Sequence, residues 1–417
     1  MSLAGLGLQG ITVSPRFVFG VNGELHNNLH LVDEHKILYT AGHNIVVYST
    51  DEKIQHFLNG QEGTDKITTV AVSKSKKYLA VCEKSKWATC TIYDIISQKK
   101  KKTLPDPDID CSDYTSGEFL SACFSPKAEN QFIITLTGAP DWLLLLWDWD
   151  KLKVISKINI GITGIPASMN QKDGNELDVN FQISFNPHEV NYIVVTGPDT
   201  YKYYKYEDGA FEADHTQVNN KDKDLTTKYS CHAWMQDGRL VVCTEVGEII
   251  VLETDGSYSA FVPDSPVENE FKIEAIVSTA RGFIIAGDGL IYAFEKSEDP
   301  RIPYRLITEP IEVKMDSSDS KSSFGPNVNF SITSMTLSSQ EDYIYFVTKN
   351  KQIMRVDIPQ YEGAESKPKF DFVHCQSHTQ EITGLDVCIR KQLIVTCSKD
   401  KSVKIWNYVN KTLEISH

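Results

Sequence analysis

Several short stretches of this chain carry residue types that can do chemistry. Gly5-Leu6-Gly7-Leu8-Gln9-Gly10 has the GxGxxG spacing of a dinucleotide-binding turn. Such a turn works between a strand and a helix, where backbone amides and the helix N-terminus face a pyrophosphate. Nothing precedes this one and Pro15 follows soon, so it reads as a flexible N-terminus. Asp106, Asp108 and Asp110 stand at the first three ligand spacings of a calcium loop. Cys111 replaces the glycine of the turn and Gly117 the closing bidentate glutamate, so a solvated acidic loop is expected. His374, Cys375 and His378 suggest zinc, but a closed structural site needs four ligands and no CxxC pair supplies the others. No metal or other cofactor is therefore expected. GxSxG, HExxH, a P-loop lysine and a cysteine or serine nucleophile with a plausible base are all absent. The remaining route to catalysis would be two carboxylates converging in a central channel. The chain is not expected to be an enzyme.

The elements that would position these residues are short and β-rich. Lys66–Ser73, Tyr78–Glu83 and Thr89–Ile95 form one such group, and Phe119–Phe124, Phe132–Thr137 and Trp142–Trp149 the next. No long stretch keeps a helical period. Groups of about four strands recurring every ~40–60 residues are the sequence form of propeller blades. An aromatic or aliphatic residue followed by an acidic or small polar one closes the third strand of each unit. The pairs are Tyr48–Ser49, Tyr93–Asp94, Trp147–Asp148, Tyr206–Glu207, Leu252–Glu253, Phe294–Glu295, Val356–Asp357 and Trp406–Asn407. Phe124–Ser125–Pro126, Phe185–Asn186–Pro187 and Gln236–Asp237–Gly238 supply the tight turns between first and second strands.

The last unit, Ser377 to Tyr408, resembles the WD40 repeat along its whole length. The resemblance implies a hydrogen-bonded tetrad of His378, Thr396, Asp400 and Trp406, with Asn407 where the family usually has aspartate. Half-buried aspartate and histidine need partners, and a hydroxyl linking them to an indole N–H satisfies all four groups. The chain thus reads as an all-β, WD40-type β-propeller of seven blades plus an eighth repeat unit, with a single eight-bladed ring as the alternative. Residues 1–27 form an N-terminal segment in which Arg16–Val21 is a candidate closing strand. Residues 28–376 would form the seven-bladed propeller. Residues 377–417 would form the eighth repeat, opening a second propeller in a longer protein.

Between units lie polar loops of the kind that carry contacts on a rigid scaffold. One of them holds the run DSSDSKSS (316–323), which reads as a flexible tether. Lys99, Lys100, Lys101 and Lys102 fall on the outermost strand of the second unit. There they either blunt a free edge or dock an acidic partner. Trp87 and Trp142 precede third strands near a loop rim, where an indole is an interface anchor if exposed and packing under a neighbouring blade is the equal alternative.

Lysine and arginine total 42 against 56 acidic residues, for a net charge of −14 and a pI near 5.3. That balance disfavours broad electrostatic capture of nucleic acid or anionic membrane, and neither is an expected partner. With 41% hydrophobic and 24% charged residues, the composition is that of a folded globular protein. The longest strongly apolar run is Trp142–Trp147, too short for a membrane span. Nine cysteines, with Cys82, Cys90, Cys123, Cys243 and Cys397 in buried strand positions, suit a reducing compartment.

The stretches Asn27–Lys53 and Ile382–Glu414 are similar to the first propeller of the cilia- and flagella-associated protein 57 family. These are axonemal WD-repeat proteins with two propellers and a long coiled coil. The resemblance runs over nearly the whole chain and is loosest in the insertions. It implies a structural adaptor in the axoneme of motile cilia and flagella. Such an adaptor would sit on the doublet microtubules and hold inner-arm dyneins or regulatory complexes, with tubulin as a further candidate partner. The net charge argues against purely electrostatic binding to tubulin's acidic tails. The alternative is a general WD-repeat recognition module, a ubiquitin-ligase substrate receptor or chromatin reader. Such receptors usually carry Trp-Asp-x-Arg after the third strand. Trp147–Asp150 and Trp406–Val409 lack that arginine.

Overall fold

Lys36–Ala41 (KILYTA) and Leu143–Asp148 (LLLLWD) place apolar residues at consecutive positions, and all but the first residue of each is buried. A strand needs this pattern when both faces of its sheet are covered, whereas a half-exposed strand alternates. The computed structural model describes residues 14–105, 113–162, 180–214, 228–262, 271–299, 302–307, 309–313, 330–358 and 370–417. It contains eight antiparallel sheets of sequentially ordered strands, called a to d here. Blades 1 to 7 span 30–59, 66–104, 119–159, 182–214, 229–261, 273–312 and 332–372, and the eighth sheet spans 382–416. Blade 6 adds a two-residue strand, Ile311–Glu312, that pairs with its strand c. Six of the eight expected aromatic–polar pairs end a strand c on their second residue. The strand c of blade 5 stops one residue earlier, at Leu252, and that of blade 6 runs one further, to Lys296.

Seven apolar clusters hold the structure together, one at each seam between neighbouring blades. Trp147 and Phe119 of blade 3 pack on Cys82, Cys90 and Leu104 of blade 2, all essentially inaccessible. Stacked Phe283 and Phe294 of blade 6 face Val241, Cys243 and Val251 of blade 5. Burying each such side chain is worth about 1.5–3 kcal/mol. The seventh cluster joins the ends of the ring, placing Leu29, Tyr39 and Tyr48 of blade 1 against Tyr343, Tyr345 and Val347 of blade 7. Blade 1 backbone amides also bond to blade 7 hydroxyls: Leu29 N–H to Ser334 Oγ at 3.0 Å and Leu31 N–H to Thr336 Oγ1 at 3.3 Å. Gly23 lies in this seam. A side chain there would meet the carbonyl of Thr348 at 2.6 Å.

Arg16–Val21 departs from expectation, because residues 14–20 carry no strand. Blade 7 already takes its fourth strand from Phe370–Phe372, which pairs with Ile353–Asp357. The N-terminal segment instead runs between blade 1 and the eighth sheet. The Gln55 side chain bonds both the amide (2.7 Å) and the carbonyl (3.0 Å) of Val18, and Phe19 packs on Trp406 at 4.6 Å.

None of the seven clusters includes a residue of the eighth sheet. Its apolar positions Ile382, Leu385, Val387, Val403 and Ile415 are 39–66% exposed. Cys397, expected to be buried, is exposed for the same reason: no blade packs beside it. Cys123 is only partly buried, while Cys82, Cys90 and Cys243 lie in the core. The GxGxxG stretch, the 106–110 aspartates and the 316–323 run lie outside the described residues.

Candidate functional site

The eighth sheet is held by the hydrogen bonds of its own repeat. Asp400 occupies the turn between strands b (Leu393–Ser398) and c (Val403–Asn407). Its Oδ1 accepts from Ser402 N–H (2.9 Å) and the Ser402 hydroxyl (2.7 Å), and its Oδ2 from Thr379 N–H (2.9 Å). His378 Nδ1 lies 3.1 Å from that Oδ2. A carboxylate only accepts, so Nδ1 is the donor, and in the neutral imidazole Nε2 accepts from the Thr396 hydroxyl at 2.8 Å. Thr396 Oγ1 in turn accepts the indole N–H of Trp406 at 2.7 Å. Burial favours protonation of Asp400, but the bonds from Ser402, Thr379 and His378 outweigh it and hold the carboxyl below the usual range. The structure thus brings His378, Thr396, Asp400 and Trp406 into one continuous chain. Ser377 anchors this sheet to blade 7 through reciprocal bonds with Gln352 (3.0 Å each).

The contact candidates fall in different surroundings. Lys99–Leu104 is strand d of blade 2 and the last strand of its sheet. Lys99, Lys100 and Lys101 are exposed there, and Lys102 is partly buried. Lys101 reaches Asp94 at 3.6 Å. Trp87 is partly buried against the seam of blades 2 and 3, with Lys86 Nζ 4.0 Å above its ring. Trp142 is 9% exposed and packs on Phe181 of blade 4 at 5.7 Å. It fills a seam between blades, which removes it from the contact candidates.

His374 and His378 are drawn to separate partners. His374 Nε2 lies 2.8 Å from the Tyr39 hydroxyl, its ring lies 4.1 Å from that of Tyr48, and burial lowers its pKa to about 4. Among the described residues no group of three histidine, cysteine, aspartate or glutamate side chains could hold a metal. Among them, too, no helix is long and apolar enough to cross a membrane.

Two buried networks were not legible in the sequence. Between blades 4 and 5, Trp234 Nε1 donates to Ser184 Oγ (2.9 Å), and His232 bridges Ser184 (2.6 Å) and Thr196 (2.8 Å). Burial lowers the pKa of His232 to about 3. Between blades 1 and 2, the fully buried Glu83 accepts from His43 Nε2 (2.8 Å), Gln61 N–H (2.9 Å) and Thr64 Oγ1 (3.0 Å). Each joins residues far apart in sequence, and the first repeats the tetrad's hydroxyl–indole and imidazole–hydroxyl pairings at other positions. Blade 3 retains the hydroxyl–indole pairing alone, Trp147 Nε1 to Thr135 Oγ1 at 2.9 Å.

The first strands of the seven blades surround a channel with a cavity of about 1280 Å³. Of the carboxylates lining it, Glu118 pairs with Lys84 (3.1 Å), Glu274 with Lys272 (3.1 Å), Glu381 with Lys399, and Glu24 with Lys351 (3.9 Å). Acidic groups are therefore met by lysines around this channel.

Comparison with known proteins agrees with this architecture. The WD domain, G-beta repeat family model matches residues 370–407. The Myceliophteria thermophila Cps50 (Swd1) beta-propeller domain superposes with a TM-score of 0.53 at 13% identity, covering 83% of this chain and 98% of that one. At that identity the likeness is one of fold. Cilia- and flagella-associated protein 57 of Mus musculus is 26% identical over 95% of this chain and 33% of its own length. Cilia- and flagella-associated protein 57 A of Tetrahymena thermophila is 28% identical over 100% of this chain and 34% of its own. The chain is an all-β WD-repeat propeller, similar over nearly its whole length to the cilia- and flagella-associated proteins 57 and spanning about a third of theirs.

Proposed function

We propose that this chain is a non-catalytic scaffold of the ciliary and flagellar axoneme. It positions inner-arm dyneins and regulatory components on the doublet microtubules. The observation that carries this is the similarity, across nearly the entire chain, to relatives named as cilia- and flagella-associated. Physically, the ring suits the role. Seven apolar seams make a rigid body, and a rigid ring is the kind of scaffold on which partners are held. The channel carboxylates, engaged by lysines, favour a structural over a chemical use of the channel. Residues 377–417 act as the first blade of a second propeller, with the next blade covering Ile382, Leu385 and Val387.

The test is to tag the native protein, strip cilia with detergent and proximity-label the remaining axonemes. Retention on the axoneme with labelling of inner-arm dynein subunits is expected. Recovery in the soluble fraction without axonemal neighbours would overturn the proposal.

A further inference from the structure

Charge is unevenly distributed in this molecule. Residues 60–105, which contain blade 2, carry ten lysines against four carboxylates, a net of +6 in a chain whose total is −14. The excess concentrates at one end and along the outer edge of the blade. Register pairs Tyr78 with Asp94 and Asp94 with Lys99. The turn bearing exposed Lys74 and Lys77 therefore lies roughly 10 Å, two strand spacings, from the start of strand d. Lys99, Lys100 and Lys101 continue the positive surface along the edge.

Protection of a free edge does not account for this run. The other strands d carry no comparable run: IQHFLN in blade 1, KVISKIN with two separated lysines in blade 3, AFEAD in blade 4, YSAF in blade 5, YRL in blade 6, FDF in blade 7 and TLEIS in the eighth sheet. One or two charges suffice to blunt an edge. Four adjacent lysines also repel one another, and among the described residues only Lys101 of the exposed three reaches a carboxylate, Asp94.

We propose that strand d of blade 2 binds an extended acidic peptide segment of a partner protein. The segment adds an antiparallel or parallel strand to the accessible part of the edge, Lys99–Lys102, ahead of the buried Thr103 and Leu104, and sets its carboxylates against the lysines. Main-chain bonds to the edge supply affinity, and the lysines select for acidic sequence. That stretch spans about 13 Å, enough for roughly four residues of an added strand. The inference stands on the edge and its charge, independently of the ciliary assignment.

Fluorescence anisotropy on the whole chain tests it. The probe is a labelled peptide of about twelve residues alternating glutamate and threonine, and the partner-class control is single-stranded RNA of equal length. Saturable, salt-sensitive peptide binding is expected, weakened at least about tenfold by K99E/K100E and unaffected by K202E, at an exposed position of strand c in blade 4. A peptide with proline at alternate positions, which cannot donate to an edge, should bind at least about tenfold more weakly. The proposal fails if K99E/K100E leaves binding unchanged, if K202E weakens it equally, or if the proline peptide binds as well as its parent. RNA bound as tightly as the acidic peptide would also overturn it, by pointing to a general polyanion surface.

Discussion

Thr396 is the hinge of the tetrad, because its one hydroxyl satisfies both the His378 imidazole and the Trp406 indole. Thr396→Val keeps the shape and strands two buried polar groups, at about 1–3 kcal/mol each. In hydrogen exchange, amides of 382–416 should open much faster in this variant while those of blades 2 to 6 keep their protection. Asp237 ties blade 5 to blade 6. Burial alone would raise its carboxyl, but bonds from Arg239 and from Lys296 of blade 6 hold it at about 2. A carboxyl depressed in the folded state stabilises above its unfolded value near 3.9, and that contribution fades as pH falls through about 2. Asp237→Asn should therefore lower stability by about 1 kcal/mol at pH 7, discounted for partial solvent exposure. The gap between the two proteins should close in chemical denaturation below pH 3. At this scale the tetrad was readable because a repeat places its members at fixed spacings. The His232 and Glu83 networks were not, because Ser184 to His232 and His43 to Glu83 span 48 and 40 residues with no spacing rule behind them. Whether Trp142 is exposed or buried under a neighbouring blade was left open by the sequence, which does not say which way an indole turns at a loop rim.

Among the elements, the seam between blades 1 and 7 decides whether the ring closes. Gly23 threads this seam against the backbone of residues 348–351 in blade 7, where a Cβ has no room. Gly23→Val should cost about 1–3 kcal/mol through the forced backbone shift. The change should appear as a lower thermal midpoint and faster exchange in strands 30–33 and 332–337, with the seam of blades 4 and 5 unaffected. The strands themselves were legible almost to the residue, since the aromatic–polar pair and the apolar run are both local. The closure was not. Arg16–Val21 has the composition of a strand, but the place it would fill belongs to Phe370–Phe372, a three-residue strand too short to announce itself.

For the whole molecule, three inward-facing imidazoles set the response to acid, His232 fully buried and His30 and His374 partly so. Burial lowers His30 and His374 to about 4 and His232 to about 3. Each titrates near 6.5 when unfolded, so the unfolded chain binds more protons in between. Their stabilisation is complete above about pH 6.5 and declines towards pH 4, by up to about 1.4 kcal/mol per pH unit for His232 and less for the partly exposed His30 and His374. Urea midpoints measured from pH 7.5 to 5 should fall accordingly, and His232→Gln should flatten the curve. The sheet outside the ring is the other whole-molecule feature. It bears the clearest repeat in the sequence and yet lacks the apolar seam that every other blade has on both sides. A repeat signature reports a blade's internal bonds, not whether neighbours cover it, so its exposure emerged only in three dimensions.

The scaffold role is tested most directly by subtomogram averaging of axonemes from cells in which this propeller has been deleted from the native protein. The account predicts loss of a propeller-sized density at the base of the inner dynein arms, together with weakened occupancy of the arms beside it. Axonemes with that density and full inner-arm occupancy would contradict it.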